Sequence, residues 1–314
     1  MKNLKLIAFL LVAVLFATAL TGCVKVNDSE SAGDSDKPTV TVTTSFLADM
    51  VRQLVGEDSV NLNMIIPAGE DPHLYLAKPE DFKKLQEADL VLYHGLFFEG
   101  KMIDILEETG KAVTKDFPEE KLGQMESDGH VTIDPHFWFD LELYALAVDN
   151  AAEYLAELLP DKADEIRDNA ASYKAELHEL DNWARDRVAE IPAASRYLVT
   201  PHDAFNYFSR RYDIPVFAPQ GVSTDSEVAT QDILATVNLI IEHDIKAIFV
   251  ESTTDPSRME KLRESCAAKG YDVTVVGGEG QELFSDSLAP VGRDGDTFIE
   301  MFKHNVNLIV DHLK

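Results

Sequence analysis

Apolar and polar positions along this chain keep two rhythms. Short β-branched or aliphatic runs at 39–43, 60–66 and 89–93 have strand character. Between them, Phe46, Met50 and Leu54 share one helical face, and 79–88 reads as a further helix. Residues 141–159 repeat apolar positions at three and four (Leu141, Tyr144, Val148, Leu155, Leu159), which predicts an amphipathic helix stopped by Pro160. The longest helical stretch runs from 162 to 190 and ends before Pro192. The rhythm then restarts, with strands at 196–200, 215–218, 246–250 and 272–276 and helices at 206–211, 228–243, 256–268 and 297–313. Residues 117–132 are polar and read as a surface loop. Strand–helix alternation argues for parallel sheets covered by helices, and a long helix in mid-chain argues for a connector. The expected fold is α/β: two lobes, each a mostly parallel sheet flanked by helices, joined by a single long connector helix. The boundaries are an N-terminal lobe at 38–161, the connector at 162–191 and a C-terminal lobe at 192–314.

The N-terminus changes the picture of compartment. Lys2 and Lys5 precede an apolar stretch at 6–20 that is short for a membrane span, and Leu20-Thr21-Gly22-Cys23 follows. That tetrad resembles the bacterial lipobox, which implies removal of a lipoprotein signal peptide (1–22) and a lipid on Cys23. Residues 23–37 then form a flexible, Ser/Asp-rich tether. The other cysteine, Cys266, lies in a helical pattern without a partner, so no disulfide framework exists, and it reads as a small buried apolar residue. The formal net charge is −28, and loss of 1–22 takes away two lysines and no acid. So acidic a surface excludes phosphate-neutralising contact with nucleic acid.

Candidate chemistry sits on histidine. Of nine, three follow prolines in loops after predicted strands: Asp71-Pro72-His73, Asp134-Pro135-His136 and Pro201-His202. Proline holds the preceding residue extended and suits the first position of a helix, so each imidazole is presented from a defined turn. His178, His243, His304 and His312 lie within or at the ends of amphipathic helices, His130 lies in the polar loop, and His94 follows a strand and is placed to line a cleft. Three imidazoles and one carboxylate make a four-ligand set for a divalent transition metal. Asp286, between Ser285 and Ser287 in a loop, is the best carboxylate. Glu251, at the end of the 246–250 strand, is its rival, or else accepts a hydrogen bond from a ligand imidazole. Asp71, Asp134 and Asp203 are placed to support the histidines or cap helices. His-Glu-x-x-His, Gly-x-Ser-x-Gly and phosphate-loop motifs do not occur.

These motifs together resemble the substrate-binding lipoproteins of bacterial ABC importers for manganese and zinc. The resemblance spans the mature chain through the lipobox, Asp71-Pro-His-Leu-Tyr75, Asp134-Pro-His-Phe-Trp138, His202-Asp-Ala-Phe-Asn-Tyr-Phe-Ser209, Val250-Glu-Ser252 and Leu283-Phe-Ser-Asp-Ser-Leu288. It implies metal ligation by His73 and His136 from the first lobe and His202 and Asp286 from the second. It also implies a monomer anchored outside the cell membrane, not an enzyme, working with a permease and its cytoplasmic ATPase. The long His-rich loop of many zinc receptors is missing, so the transported ion is expected to be zinc or manganese, with zinc ahead in vitro. The competing reading is a lipid-anchored zinc-dependent hydrolase with Glu251 as its base. A rigid connector implies small tilts of the lobes rather than a wide hinge.

Overall fold

β1 (Thr39–Val42) is the inner strand of the first sheet, and Val40, Thr41 and Val42 are wholly buried, as a parallel strand covered on both faces must be. The structure, a computed structural model, describes residues 37–127 and 130–314. The signal segment, Cys23 and all but the last residue of the 23–37 tether lie outside the described residues, as does the side chain of His130. After β1 come α1 (Ser45–Val55), β2 (Asn61–Met64), α2 (Pro79–Gln86), β3 (Leu90–Tyr93), α3 (Ile103–Thr109) and β4 (Lys111–Ala112). The four strands pair in parallel in the order β2-β1-β3-β4. Thr44 ends β1's exit and caps α1, its Oγ1 accepting from the Leu47 amide.

A hairpin follows, β5 (Gln124–Ser127) antiparallel to β6 (His130–Ile133), in register from Gln124–Ile133 to Ser127–His130. The 117–132 segment is therefore not simply a loop. Its strand Gln-Met-Glu-Ser has no apolar alternation from which a strand could be read. Asp140 then caps α4 (Leu141–Leu158), accepting from the Glu142 amide at 3.0 Å.

The predicted connector is α5 (Ala163–Val188), whose 26 residues rise roughly 39 Å. Its buried stripe, including Ile166, Tyr173, Leu177, Leu180 and Val188, packs on α1 and α4 before it in the chain. Each such side chain contributes about 1.5–3 kcal/mol through burial. The second lobe adds β7 (Leu198–Val199), α6 (Asn206–Tyr212), β8 (Val216–Phe217), α7 (Thr230–Glu242), β9 (Ala247–Phe249), α8 (Ser257–Ala268), β10 (Thr274–Val276) and α9 (Phe298–Leu313). β7 pairs with β8 and β9 with β10, both parallel. The fold is thus α/β with two lobes of parallel strands flanked by helices and one long helix in mid-chain.

α5 also meets α6 and α9 from the second lobe. One apolar cluster runs from Val40 and Phe46 through Trp138 and Leu177 to Phe302 and Val310, so both lobes share a core. Cys266 is wholly buried in a smaller cluster with Ile248 and Leu262. Among the described residues, no helix is long and apolar enough to cross a membrane.

Candidate metal centre

The three proline–histidine turns and the Leu283–Leu288 loop converge where the lobes meet. One nitrogen each from His73, His136 and His202 and one oxygen from Asp286 all lie within 4.8 Å of one another. His73 is 3% exposed and the other three are fully buried. The imidazole centroids stand 5.4 Å apart for His73 and His136, 5.3 Å for His136 and His202, and 6.1 Å for His73 and His202.

Two of the three turns are built by their own carboxylate. Asp71 Oδ1 accepts the His73 backbone N–H at 2.9 Å, and Asp134 Oδ1 accepts the His136 backbone N–H at 2.9 Å. These are two-residue Asp turns, and neither proline opens an α-helix, contrary to the helix-start expectation. Asp134 Oδ1 also meets His136 Nδ1 at 2.7 Å, while Asn206 donates to its Oδ2 at 3.1 Å. His202 Nδ1 is bonded to Glu251 Oε2, which also accepts from Ser285 Oγ at 3.2 Å. Carboxylates on Nδ1 of His136 and His202 leave each Nε2 facing the centre as a lone-pair donor. Asp203 does not support His202 in this way; its backbone carbonyl accepts from Asn206 at 3.3 Å.

Asp286 Oδ1 lies 3.3 Å from His136 Nε2, and its Oδ2 lies 3.3 Å from His202 Nε2. Thr253 donates to Oδ2 at 3.3 Å. Nε2 of all three histidines and Oδ1 of Asp286 are buried without a hydrogen-bond partner among the described residues. A buried polar atom left so costs about 1–3 kcal/mol. Four pointing at one spot are relieved together by a single cation. A tetrahedral zinc with bonds near 2.0–2.1 Å separates neighbouring donors by about 3.3 Å, and the distance from Asp286 Oδ1 to His136 Nε2 meets that spacing.

Electrostatics divides the three imidazoles. Burial pushes His73 down to about 3; Asp286 works the other way, and the other two imidazoles add to the lowering. His136 is raised to about 9, because Asp134 and then Asp286 outweigh its burial. His202 is raised well above its ordinary value, burial being overcome by Glu251 and Asp286. Burial also opposes the charge on Asp286, yet His202 and His136 hold it well below the usual carboxylate range.

Glu251 is buried with Oε2 on Nδ1 of His202 and is not one of the four residues whose ligand atoms converge; its Oε1 has no hydrogen-bond partner among the described residues. His94 does not line the cleft. It is buried among Phe46, Phe98, Phe137 and Trp138, with Nε2 at 2.7 Å from Thr44 Oγ1.

Several residues at the seam carried no sequence signal. Ser287 Oγ accepts from the Gly69 amide at 2.7 Å, and Ser45 Oγ accepts from the Leu288 amide at 2.9 Å. Trp138 donates to the Ser285 carbonyl at 2.9 Å, and Thr224 to Asp71 Oδ2 at 2.6 Å. The one hint is Thr43-Thr44-Ser45, a polar run that follows a buried strand directly.

Residues 40–312 match the family model described as zinc-uptake complex component A, periplasmic. The manganese-binding lipoprotein MntA of Bacillus subtilis (strain 168) is 42% identical over 97% of this chain and 99% of its own. The periplasmic zinc-binding protein TroA of Treponema pallidum superposes with a TM-score of 0.82 at 36% identity, over 88% of this chain and 99% of its own. A second solved TroA chain, studied for its metal-binding specificity, reaches 0.87 at 61% identity, over 88% of this chain and all of its own.

Proposed function

The chain belongs to the family of periplasmic zinc-uptake complex component A, and from that premise we propose that it is an extracytoplasmic receptor that captures a divalent transition-metal ion between its lobes. It delivers the ion to an ABC importer permease driven by a cytoplasmic ATPase. The ligands are His73, His136, His202 and Asp286, with Asp134 and Glu251 orienting two of the imidazoles. The lobes are 38–161 and 192–314, joined by 162–191. The receptor is a monomer held to the membrane by a lipid on Cys23.

One observation carries this reading: four buried, hydrogen-bond-deficient donor atoms, two from each side of α5, converge within 4.8 Å. A cation there ties one lobe to the other, so binding favours the closed contact and release requires it to loosen. The shared core and α5 limit that loosening to small tilts and loop movements. The carboxylates that raise the proton affinity of His136 and His202 set protons in competition with the ion at those two imidazoles.

Three nitrogens and one oxygen suit zinc, and the affinity order at a fixed site places zinc above manganese in vitro. A second Asp286 oxygen within reach would raise the coordination number and admit manganese. A catalytic zinc site keeps one position for water. Four protein donors fill a tetrahedron, which is why we read a receptor and not a lipid-anchored hydrolase.

Calorimetric titration of metal-stripped protein with zinc and with manganese, beside His202→Ala and Asp286→Ala, tests the proposal. Tight one-to-one binding is expected in the parent and lost in both variants, with circular dichroism unchanged. Binding that persists in both variants would remove this ligand set.

A further inference from the structure

Two of the three ligand imidazoles are braced by a carboxylate on Nδ1: His136 by Asp134 and His202 by Glu251. His73 has no such brace recorded; Asp71 takes its backbone N–H, and its other oxygen is occupied by Thr224. What faces His73 instead is the segment 94–100. The Phe98 ring stands edge-on to the imidazole, centroids 5.1 Å apart and planes at 88°. Gly100 abuts the His73 backbone so closely that a Cβ there would lie 2.5 Å from the His73 carbonyl oxygen.

That segment is held in an unusual conformation. Gly95, Leu96, Phe97 and Gly100 have φ of 87°, 55°, 64° and 43°. Left-handed backbone is uncommon at leucine and phenylalanine and persists only where surrounding contacts enforce it. The enforcing group is Glu99, wholly buried. Its Oε1 accepts the His94 backbone N–H at 2.6 Å and the Thr43 hydroxyl at 2.8 Å, and its Oε2 accepts the Gly95 N–H at 3.2 Å. Thr43 directly follows β1, an inner strand of the first sheet, so Glu99 ties the loop to that sheet.

We infer that Glu99 is a positioning residue for the metal ligand His73, bolting the 94–100 loop so that Phe98 and Gly100 do for this imidazole what a carboxylate does for the other two. The inference rests on the ligand set proposed above. Glu99 touches no ligand atom and acts through the loop. Loss of the bolt frees Leu96 and Phe97 to relax toward ordinary backbone, withdraws Phe98 from the ring and leaves His73 a choice of rotamers.

The test pairs zinc titration with a readout that needs no metal. Glu99→Ala should weaken zinc binding about 10–100-fold, the scale on which residues behind metal ligands act. In a His73→Ala background the same change should matter less than about twofold, because the ligand it positions is gone. Glu99→Gln keeps an oxygen for His94 and Thr43 and should remain within a few-fold of the parent. In metal-free protein, imidazole nitrogen NMR should show the His73 resonances of Glu99→Ala broadened or split with His202 unmoved; His136, whose ring also stands edge-on to Phe98 at 6.1 Å, is not used as the control. Should Glu99→Ala not fold, Phe98→Leu, which keeps the core apolar, is expected to perturb His73 in the same way with His202 unmoved. A loss equally large in the His73→Ala background, a glutamine variant as weak as the alanine, or an unperturbed His73 ring would each overturn the inference. Failure of the parent to bind zinc would instead strike the receptor reading, and the metal-free NMR would still judge Glu99.

Discussion

Glu251→Gln should change the pH profile of metal binding, not only its strength. Glu251 is wholly buried, and its bond to His202 Nδ1 does two opposed things. It increases the donor strength of Nε2 toward a metal, and it raises the proton affinity of the same imidazole well above the ordinary value. Glutamine keeps an acceptor oxygen but removes the charge. At pH 9, where proton competition is weakest, affinity should fall about 10–100-fold, which is about 1.4–2.8 kcal/mol. As pH falls, the parent must displace a proton that His202 holds tightly, while the variant holds it less tightly. The gap between the two should therefore narrow toward pH 6. Competition against a fluorescent zinc chelator from pH 6 to 9 reads this directly. A gap that stays constant, or widens on acidification, would refute the assignment of Glu251 as the charged partner of His202.

Zinc binding at pH 7.5 should release protons, drawn from His136 and His202 but not from His73, whose value of about 3 leaves it neutral. Calorimetry in buffers of different ionisation heat counts them, and a count of zero would contradict proton competition at those two imidazoles. Removing metal should leave the protein folded, since its core lies largely outside the site; zinc at a thousand times its Kd should add about 4 kcal/mol, seen as a raised Tm. Unfolding on chelation would make the ion a structural staple. Trp138→Ala removes a buried ring stacked on Phe46 at 4.9 Å and the donor to the Ser285 carbonyl. It should cost about 3–5 kcal/mol in denaturant unfolding, and a loss under about 1 kcal/mol would show that the seam repacks.

The alternation of strands and helices and the long α5 were legible because burial on both faces of a strand, or along one stripe of a helix, writes itself into the apolar pattern. The β5–β6 hairpin was not, because Gln124-Met-Glu-Ser127 carries no apolar alternation for a pattern to catch. Two of the three proline–histidine turns stood out because Asp-Pro-His joins an acceptor, a restrained backbone and an imidazole within three residues; the third, Pro201-His202, shares the restrained backbone and the imidazole. His94 was misplaced toward the cleft because position after a strand does not reveal that aromatic rings close over it. Glu251 was left open between ligand and brace, a choice that depends on side-chain direction. The seam serines and Glu99 act through long-range hydrogen bonds, such as Ser45 with Leu288 and Glu99 with Thr43, which local pattern does not encode.

The central claim is that one ion sits among His73, His136, His202 and Asp286. Anomalous diffraction from zinc-loaded crystals at the zinc edge tests it most directly. The account predicts a single peak bonded to Nε2 of the three histidines and to the Asp286 carboxylate, with Glu251 still on His202 Nδ1. A peak elsewhere, or an ion bound by Glu251 with Asp286 turned away, would contradict it.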